Sequence, residues 1–233
     1  MMRKIICLFI LLVPFKSPKN IFGKTGTVIS EKANLITRLF FASKSDNSIL
    51  PAKNVLEKAI TGYTKLERLG KLHLQNALTI IDFSLPSSEK RMWVFDVITG
   101  KILYHCYVAH GKNSGEQYAQ SFSNKEGSHQ SSLGFFVTGT TYTGKHGLSL
   151  YLDGQEKNIN NLARKREIVI HGADYVSEDF IKQQGHLGRS FGCPALPTKL
   201  STEIIRTIEG GSVLFIYAPD KNYISKSEFI NAI

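Results

Sequence analysis

The chain has 233 residues, of which 42% are hydrophobic, enough to build the core of one ordinary domain with extensions. Lysine and arginine number 29 against 19 aspartates and glutamates, so the formal net charge is +10. This excess fits a well-solvated surface or an anionic partner such as nucleic acid, a membrane surface or a cell-wall polymer. The sequence has no block of basic residues with interleaved aromatics, so we expect no nucleic-acid partner.

The first 20 residues are typical of a signal peptide or an N-terminal anchor. Two basic residues precede an apolar run from Ile5 to Val13, which Pro14 ends. The run is shorter than the about 20 residues that a membrane-spanning helix needs. We therefore expect export, with no stable membrane span in the mature chain; a buried N-terminal helix is the alternative.

Residues 21–50 lack clear periodicity and are predicted to form a linker, whereas residues 51–233 are predicted to form one folded domain. The domain begins with a helical pattern over 51–69, for which Gly70 is the expected stop. Apolar residues recur three and four positions apart in this segment, which is typical of one buried face: Val55, Leu56, Ala59, Ile60, Tyr63 and Leu66.

From residue 77 the pattern changes to short runs rich in β-branched and aromatic residues. Three successive runs predict neighbouring antiparallel strands: A-L-T-I-I-D-F, R-M-W-V-F-D-V and K-I-L-Y-H-C-Y-V. A polar stretch from His110 to Ser132 follows, and a loop this long in a compact domain is usually functional or disordered. Further strand-like runs are G-F-F-V-T-G, L-S-L-Y-L, R-E-I-V-I and S-V-L-F-I-Y.

A second helix is predicted before the last strand, with Thr198 as its N-cap and Gly210 and Gly211 after its end. Together these elements predict a mainly β domain with an N-terminal helix and short peripheral helices.

Two residues in the second half of the chain suggest nucleophilic chemistry. His171 ends the run R-E-I-V-I and precedes Gly172, so its ring can face a cleft where the backbone turns. Cys193 lies in G-R-S-F-G-C-P-A-L-P, among polar residues and glycines that do not resemble a core. A thiolate attacks carbonyl carbons, and a neighbouring imidazole can take the thiol proton. A strand-end histidine and a small buried cysteine are the structural alternatives.

Gly192 is predicted to let the backbone approach a ligand closely, because it has no side chain. Successive backbone N–H groups there can then face one point and form an oxyanion hole.

The order H-G, a variable segment and then G-R-S-F-G-C-P-A-L-P resembles the murein L,D-transpeptidase catalytic domain family, a branch of the YkuD-like L,D-transpeptidases. Other stretches agree in the same order: I-I-D-F-S-L-P-S-S-E-K-R-M-W-V-F-D-V, Y-V-A-H-G-K-N-S-G, S-N-K-E-G-S-H-Q-S-S-L-G-F-F and Y-T-G-K-H-G-L-S-L. The resemblance covers roughly residues 50 to 219 and implies a β-sandwich-like catalytic domain within 51–233.

The resemblance implies an enzyme that forms 3-3 cross-links between peptidoglycan stem peptides through a thioacyl-enzyme. Cys193 would attack the carbonyl of the third stem residue, diaminopimelate, the terminal D-alanine would leave, and an amine of another stem would take the acyl group. His171 would be the base, oriented by a backbone carbonyl near Gly172, and the backbone N–H groups of Gly192 and Cys193 would hold the oxyanion. The alternatives are an L,D-carboxypeptidase with the same thiol and a non-catalytic wall-binding domain.

The resemblance also implies peptidoglycan stem peptides as the partner, a location in the periplasm or cell envelope, and no cofactor.

The chain departs from the commoner S-H-G-C pattern at Phe191, which replaces a histidine and cannot polarise the thiol. Ser190 matches the Ser/Thr position of the family. Arg189 is expected to bind a stem carboxylate, with a solvent-facing charge as the alternative.

Three more residues are expected to contact substrate. Tyr142 and His146 lie in Y-T-G-K-H-G, where a plain turn is the alternative. His110 follows a strand and is predicted to line the cleft, which also makes it the rival of His171 as base.

Besides acting as a nucleophile, Cys193 has two alternative roles, in a zinc site or in a disulfide. His171, His186 and Cys193 can in principle bind zinc, but no H-E-x-x-H or H-x-H pair occurs, so we expect no metal. Cys106 and Cys193 could pair in an oxidising compartment, whereas a catalytic thiol must stay free. Cys106 lies in an apolar run and is predicted to be a core residue.

Overall fold

The structure, a computed structural model, describes residues 49–74 and 76–231. The predicted leader (residues 1–20) and nearly all of the predicted linker lie outside the described residues, so these two assignments stay predictions. Within the described part of the chain, no helix is both long and apolar enough to cross a membrane.

The described domain is built around eight strands, and the predicted mainly β class is confirmed. The strands are β1 (Ala77–Asp82), β2 (Met92–Asp96), β3 (Ile102–Cys106), β4 (Gly134–Gly144), β5 (Gly147–Gly154), β6 (Val169–Ala173), β7 (Ala195–Pro197) and β8 (Val213–Tyr217). The α-helices of residues 49–74 and 76–231 are α1 (Lys53–Arg68), α2 (Glu178–Gln184), α3 (Thr198–Ile208) and α4 (Lys221–Lys226).

All eight strands belong to one mixed sheet in the order β3-β2-β1-β8-β4-β5-β6-β7. The first three pair antiparallel, as predicted. The last strand, β8, inserts between β1 and β4 and runs parallel to β1. Just after β3, Ala109 forms a bridge to Ala195 of β7, so the two ends of the sheet meet and the sheet nearly closes on itself.

Helix α1 packs against β1 and β8. Every residue of its predicted apolar face is buried, with at most 3% of the residue exposed. The helix ends as predicted, because Gly70 takes a φ of +65°, a left-handed conformation that glycine adopts without a Cβ penalty.

The predicted cap of α3 is wrong. Pro197 occupies the cap position, and its fixed φ of −55° already suits a helix start. Thr198 is instead the first helical residue, and its hydroxyl donates to Asp174 Oδ1 at 2.8 Å. Gly210 and Gly211 follow the helix with φ values of +85° and +106°, which agrees with the predicted end.

Candidate active site

His171 lies in a row of side chains that crosses three strands. Tyr142 of β4 stands opposite Ser149 of β5, and Ser149 stands opposite His171 of β6. Residues directly opposite each other on paired strands point to the same face of a sheet. Ile170, the residue before His171 on β6, is fully buried and faces the core. Successive side chains of a strand point to opposite faces, so the row that contains His171 faces away from that core.

The His171 ring is oriented by its own backbone. Nδ1 lies 2.9 Å from the carbonyl oxygen of Gly172, so Nδ1–H donates and Nε2 is left as a proton acceptor. The ring of His146 stacks on it with centroids 4.6 Å apart. Burial lowers the pKa of His171, and the neighbouring His146 and Lys145 lower it further. The imidazole is therefore neutral at pH 7, the form that can accept a proton.

The Cys193 thiol lies against the start of β6. The backbone N–H of Val169 points at Sγ from 3.5 Å, and Sγ lies 3.6 Å from the carbonyl oxygen of Glu167. Val169 and His171 are two residues apart on one strand, which separates their Cα atoms by about 6.6 Å. The structure thus brings the predicted nucleophile and the predicted base to the same stretch of β6.

Three residues around the thiol have left-handed backbones. They are His129 with φ +53°, Glu167 with φ +55° and Gly192 with φ +126°. Glu167 accepts from the thiol, His129 touches Phe191 with ring centroids 4.7 Å apart, and Gly192 directly precedes Cys193. Such conformations are costly for residues other than glycine and cluster at functional sites.

Gly192 is required for space as well as for its backbone angle. A Cβ at this position would lie 2.9 Å from the carbonyl oxygen of Gln130. Its N–H, however, is not free for an oxyanion, because it donates to Ser190 Oγ at 3.0 Å. Ser190 Oγ in turn donates to the carbonyl oxygen of Cys193 at 2.6 Å. The expected pair of oxyanion donors is thereby reduced to the N–H of Cys193, which makes no hydrogen bond within residues 49–74 and 76–231.

Helix α3 leaves no room for a side chain at position 172. A Cβ there would lie 2.6 Å from Ser201 Oγ and 3.1 Å from Ser201 Cβ. The close approach of α3 therefore allows only glycine at the position whose carbonyl orients His171.

Arg166 also belongs to this site, although we did not single it out from the sequence. Its guanidinium donates to the carbonyl oxygens of Ser123 at 2.6 Å and Gln130 at 2.7 Å. These bonds hold the 110–132 loop against Gly192, whose missing Cβ leaves room for Gln130. The positive charge of Arg166 also lowers the pKa of Cys193. The signal in the sequence was a basic residue just before the strand that carries His171.

The resting thiol is nevertheless hard to ionise. Burial raises the pKa of Cys193, and the Val169 N–H and Arg166 oppose this only in part, while Glu167 adds to it. An activated thiol is expected to have a lowered pKa. In the free protein, the Cys193 thiol is therefore neutral, and it donates to the carbonyl oxygen of Glu167.

Alkylation of Cys193 by iodoacetamide should consequently be slow at pH 7 and still rising at pH 9, since the thiolate is the reactive form. Replacing Arg166 with glutamine should move the alkylation profile to higher pH, because it removes the cation that favours the thiolate. The rate is measured by mass spectrometry of the modified peptide. A rate that levels off below pH 8 in the wild type would contradict the raised pKa.

His110 does not line a cleft. It is fully buried, Arg91 Nη2 donates to its Nδ1 at 2.8 Å, and its Nε2 donates to the Gly115 carbonyl oxygen at 3.2 Å. Burial and the adjacent Arg91 lower the pKa of His110 to about 3. With both nitrogens engaged, it is neither an accessible base nor a substrate contact, in contrast to the expectation. Its carbonyl oxygen instead accepts from the Ser190 N–H at 3.0 Å, which helps to hold the Cys193 turn.

The other predicted contact residues reach the surface. Tyr142 is 38% exposed and stacks on Tyr151 with centroids 4.7 Å apart, and His146 is exposed over His171. Arg189 is half-buried and partly committed: its Nη1 donates to the Gly115 carbonyl oxygen at 3.3 Å and lies 3.9 Å from Glu116 Oε1.

Cys106 is a buried core residue, and burial raises its pKa to about 12. Both it and Cys193 are free thiols. Over residues 49–74 and 76–231, no group of three or more histidine, cysteine, aspartate or glutamate side chains is arranged to hold a metal ion.

Several solved structures are similar to this chain at low identity. The L,D-transpeptidase from Mycobacterium smegmatis is 13% identical, with 61% of this chain and 59% of that one covered and a TM-score of 0.39. L,D-transpeptidase 1 of Mycobacterium tuberculosis is 11% identical, covering 61% and 62%, with a TM-score of 0.34. The L,D-transpeptidase of Stackebrandtia nassauensis is 13% identical, covering 82% and 93%, with a TM-score of 0.37.

The chain thus spans less than two thirds of the length of the first two of these proteins. Among curated proteins, none matches the sequence. The family model YkuD_2, which describes an L,D-transpeptidase catalytic domain, matches residues 48–217, a stretch that includes the thiol, the histidine and the strands that carry them. The chain belongs to the L,D-transpeptidase catalytic domain family.

Proposed function

We propose that this domain is a cysteine-dependent murein L,D-transpeptidase that joins peptidoglycan stem peptides by 3-3 cross-links. The observation that carries the proposal is that the Cys193 thiol lies against the N–H of Val169 on β6, two residues before the oriented, neutral ring of His171 on the same strand. A nucleophile, a base and a group that orients the base are the parts that covalent acyl transfer needs.

In the proposed acylation, Nε2 of His171 takes the proton from Cys193 Sγ as Sγ attacks the carbonyl carbon of the third stem residue. A C–S bond forms, and the carbonyl oxygen carries the negative charge. The C–N bond to the terminal D-alanine then breaks, and the imidazolium returns its proton to the leaving amine. The product is a thioester on Cys193 and free D-alanine.

Deacylation reverses these roles. An amine of a second stem peptide attacks the thioester carbon, His171 takes a proton from that amine, and the thiol leaves with a proton. Water as the acceptor instead releases a tripeptide, which is carboxypeptidase activity. The N–H of Cys193 is the donor we assign to the oxyanion, since the N–H of Gly192 is bonded to Ser190.

The raised pKa of Cys193 fits a thiol that ionises only when substrate arrives. A bound peptide would exclude water from the pair and place the carbonyl where the thiolate forms, so proton transfer and attack would be coupled. The same raised pKa is the observation that favours the second candidate, a wall-binding domain without catalysis.

We also propose a location in the periplasm or cell envelope, because the proposed substrates, the stem peptides, are part of the cell wall. The net charge of +10 favours association with an anionic wall polymer.

The test is product analysis by liquid chromatography and mass spectrometry after incubation of the purified chain with disaccharide-tetrapeptides. Transpeptidation predicts dimers lacking one D-alanine per bond formed. Tripeptides without dimers would assign the carboxypeptidase instead, and unchanged tetrapeptides that still bind would assign the wall-binding domain.

A further inference from the structure

An exposed aromatic side chain lies on the turn that leads to Cys193. Phe191, two residues before Cys193, is 62% exposed, whereas the core phenylalanines Phe135 and Phe215 are fully buried. The exposure does not come from a loose backbone, because both neighbours of Phe191 are bonded to the 110–132 loop. The Ser190 carbonyl oxygen accepts from the Lys112 N–H at 2.8 Å, and the Gly192 carbonyl oxygen accepts from Ser131 Oγ at 3.1 Å.

Two side chains of the 110–132 loop contact the Phe191 ring. The Lys112 ammonium lies 4.4 Å from the ring centroid, within cation–π range. The His129 ring lies 4.7 Å away and is tilted by 44°. His129 keeps this position in a left-handed conformation with φ +53°, which is uncommon for a residue other than glycine.

The Lys112 charge is available to a ligand. In the part of the chain that the structure describes, no carboxylate lies within 4.0 Å of its ammonium. Arg189, the residue expected to bind a substrate carboxylate, is instead engaged with Gly115 and lies near Glu116. An exposed cation and an exposed apolar surface therefore lie together at the turn that leads to the nucleophile.

We propose that Phe191 and Lys112 form a substrate subsite that recognises a carboxylate next to a short alkyl group. The alkyl group would lie on the open part of the Phe191 ring, and the carboxylate would pair with the Lys112 ammonium. The inference rests on the proposed function, and a stem tetrapeptide offers this chemistry twice. One source is the methyl group and terminal carboxylate of D-alanine, and the other is the side-chain end of diaminopimelate.

The test compares Lys112→Gln with the wild type on three tetrapeptides: the parent, one with a terminal carboxamide, and one with the diaminopimelate side-chain carboxyl amidated. For an exposed ion pair we expect KM on the parent to rise about fivefold, with kcat within twofold. Amidating the recognised carboxylate should raise the KM of the wild type by the same factor as Lys112→Gln does. It should not raise the KM of Lys112→Gln any further, because in a double-mutant cycle the two changes remove the same interaction. The amidated peptide that shows this result identifies which of the two carboxylates the subsite recognises.

Two further variants sharpen the result. Lys112→Arg should keep most of the affinity, because it keeps the charge. Phe191→Ala should raise KM on the parent about fivefold, since it removes both the apolar surface and the cation–π contact. Lys125→Gln is the matched control, because it removes an exposed lysine from the same loop outside the subsite, and it should leave KM unchanged. The rate of Cys193 alkylation by uncharged iodoacetamide should also be unchanged in Lys112→Gln, which shows an intact site.

Binding of the same peptides to Cys193→Ala, measured by calorimetry, separates the two proposals. If the wild type forms dimers, and Lys112→Gln binds the parent peptide and forms dimers as the wild type does, the subsite is refuted and the transpeptidase stands. If no product forms but Lys112→Gln in the Cys193→Ala background still weakens peptide binding about fivefold, the transpeptidase is refuted and the subsite stands. Equal loss of affinity for all three peptides on replacing Lys112 would also refute carboxylate recognition.

Discussion

Cys193→Ala is expected to abolish the formation of both dimers and tripeptides, lowering kcat/KM by about a thousandfold or more. The variant removes the atom that forms the thioester, and no other described side chain can replace it, because the one other described thiol, Cys106, is buried. Fold and peptide binding should survive, since the half-buried Sγ makes only weak contacts, with the Val169 N–H at 3.5 Å and the Glu167 carbonyl oxygen at 3.6 Å.

The matched control is Cys106→Ala, which also deletes a sulfur atom but lies on β3 in the core. It should keep the activity and lose some stability instead, because it leaves a small cavity. Product analysis and thermal unfolding of both variants provide the two readouts. Dimer or tripeptide formation by Cys193→Ala at the wild-type rate would refute a cysteine nucleophile.

Gly62→Ala is expected to destabilise the fold by about 2 kcal/mol or more, although alanine is the better helix former. Gly62 lies within α1, where a Cβ would come 2.0 Å from Cζ and 2.3 Å from Cε1 of Phe135. Phe135 cannot easily withdraw, because its ring stacks on Phe215 with centroids 4.3 Å apart and on Phe229 at 5.5 Å. Either α1 or the ring must shift, and contacts between helix and sheet are lost.

Thermal and urea unfolding measure this effect, which we expect to lower Tm by roughly 4–8 °C. The double variant Gly62→Ala/Phe135→Leu should lose less stability than the sum of the two single changes, because the smaller side chain removes the clash. Asn54→Ala, at an exposed position of the same helix, is the control and should change Tm little. A Gly62→Ala protein as stable as the wild type would show that α1 can move away from the sheet at no cost.

The sequence predicted local elements well where one periodic face is buried. The apolar positions of α1 and the three antiparallel strands β1–β3 were recognised because spacing along the chain reports directly on which side of an element is buried. The insertion of β8 between β1 and β4 was not predicted, since strand order is decided by contacts between residues far apart in the chain.

In the candidate site, too, features that depend on local sequence were predicted, and features that depend on distant residues were not. The chemistry of Cys193 and His171 could be inferred because residue type and flanking glycines limit what a thiol and an imidazole can do. Three other features depend on distant residues: the burial of His110 beside Arg91, 19 positions away; the Arg166 bond to Gln130, 36 positions away; and the Ser131 bond to Gly192, 61 positions away. His110 looked like a cleft residue for this reason, and Arg166 was overlooked.

The sequence by itself determined the mainly β class, the apolar face of α1 and the residues suited to acyl transfer, because these depend on local spacing and on side-chain chemistry. The tertiary structure alone decided which groups are free to react. It engages the Gly192 N–H with Ser190 and leaves the Lys112 ammonium exposed over Phe191. Hydrogen bonding and burial are properties of packed neighbours, and those neighbours are known only once the nearly closed sheet has brought the 110–132 loop to the Cys193 turn.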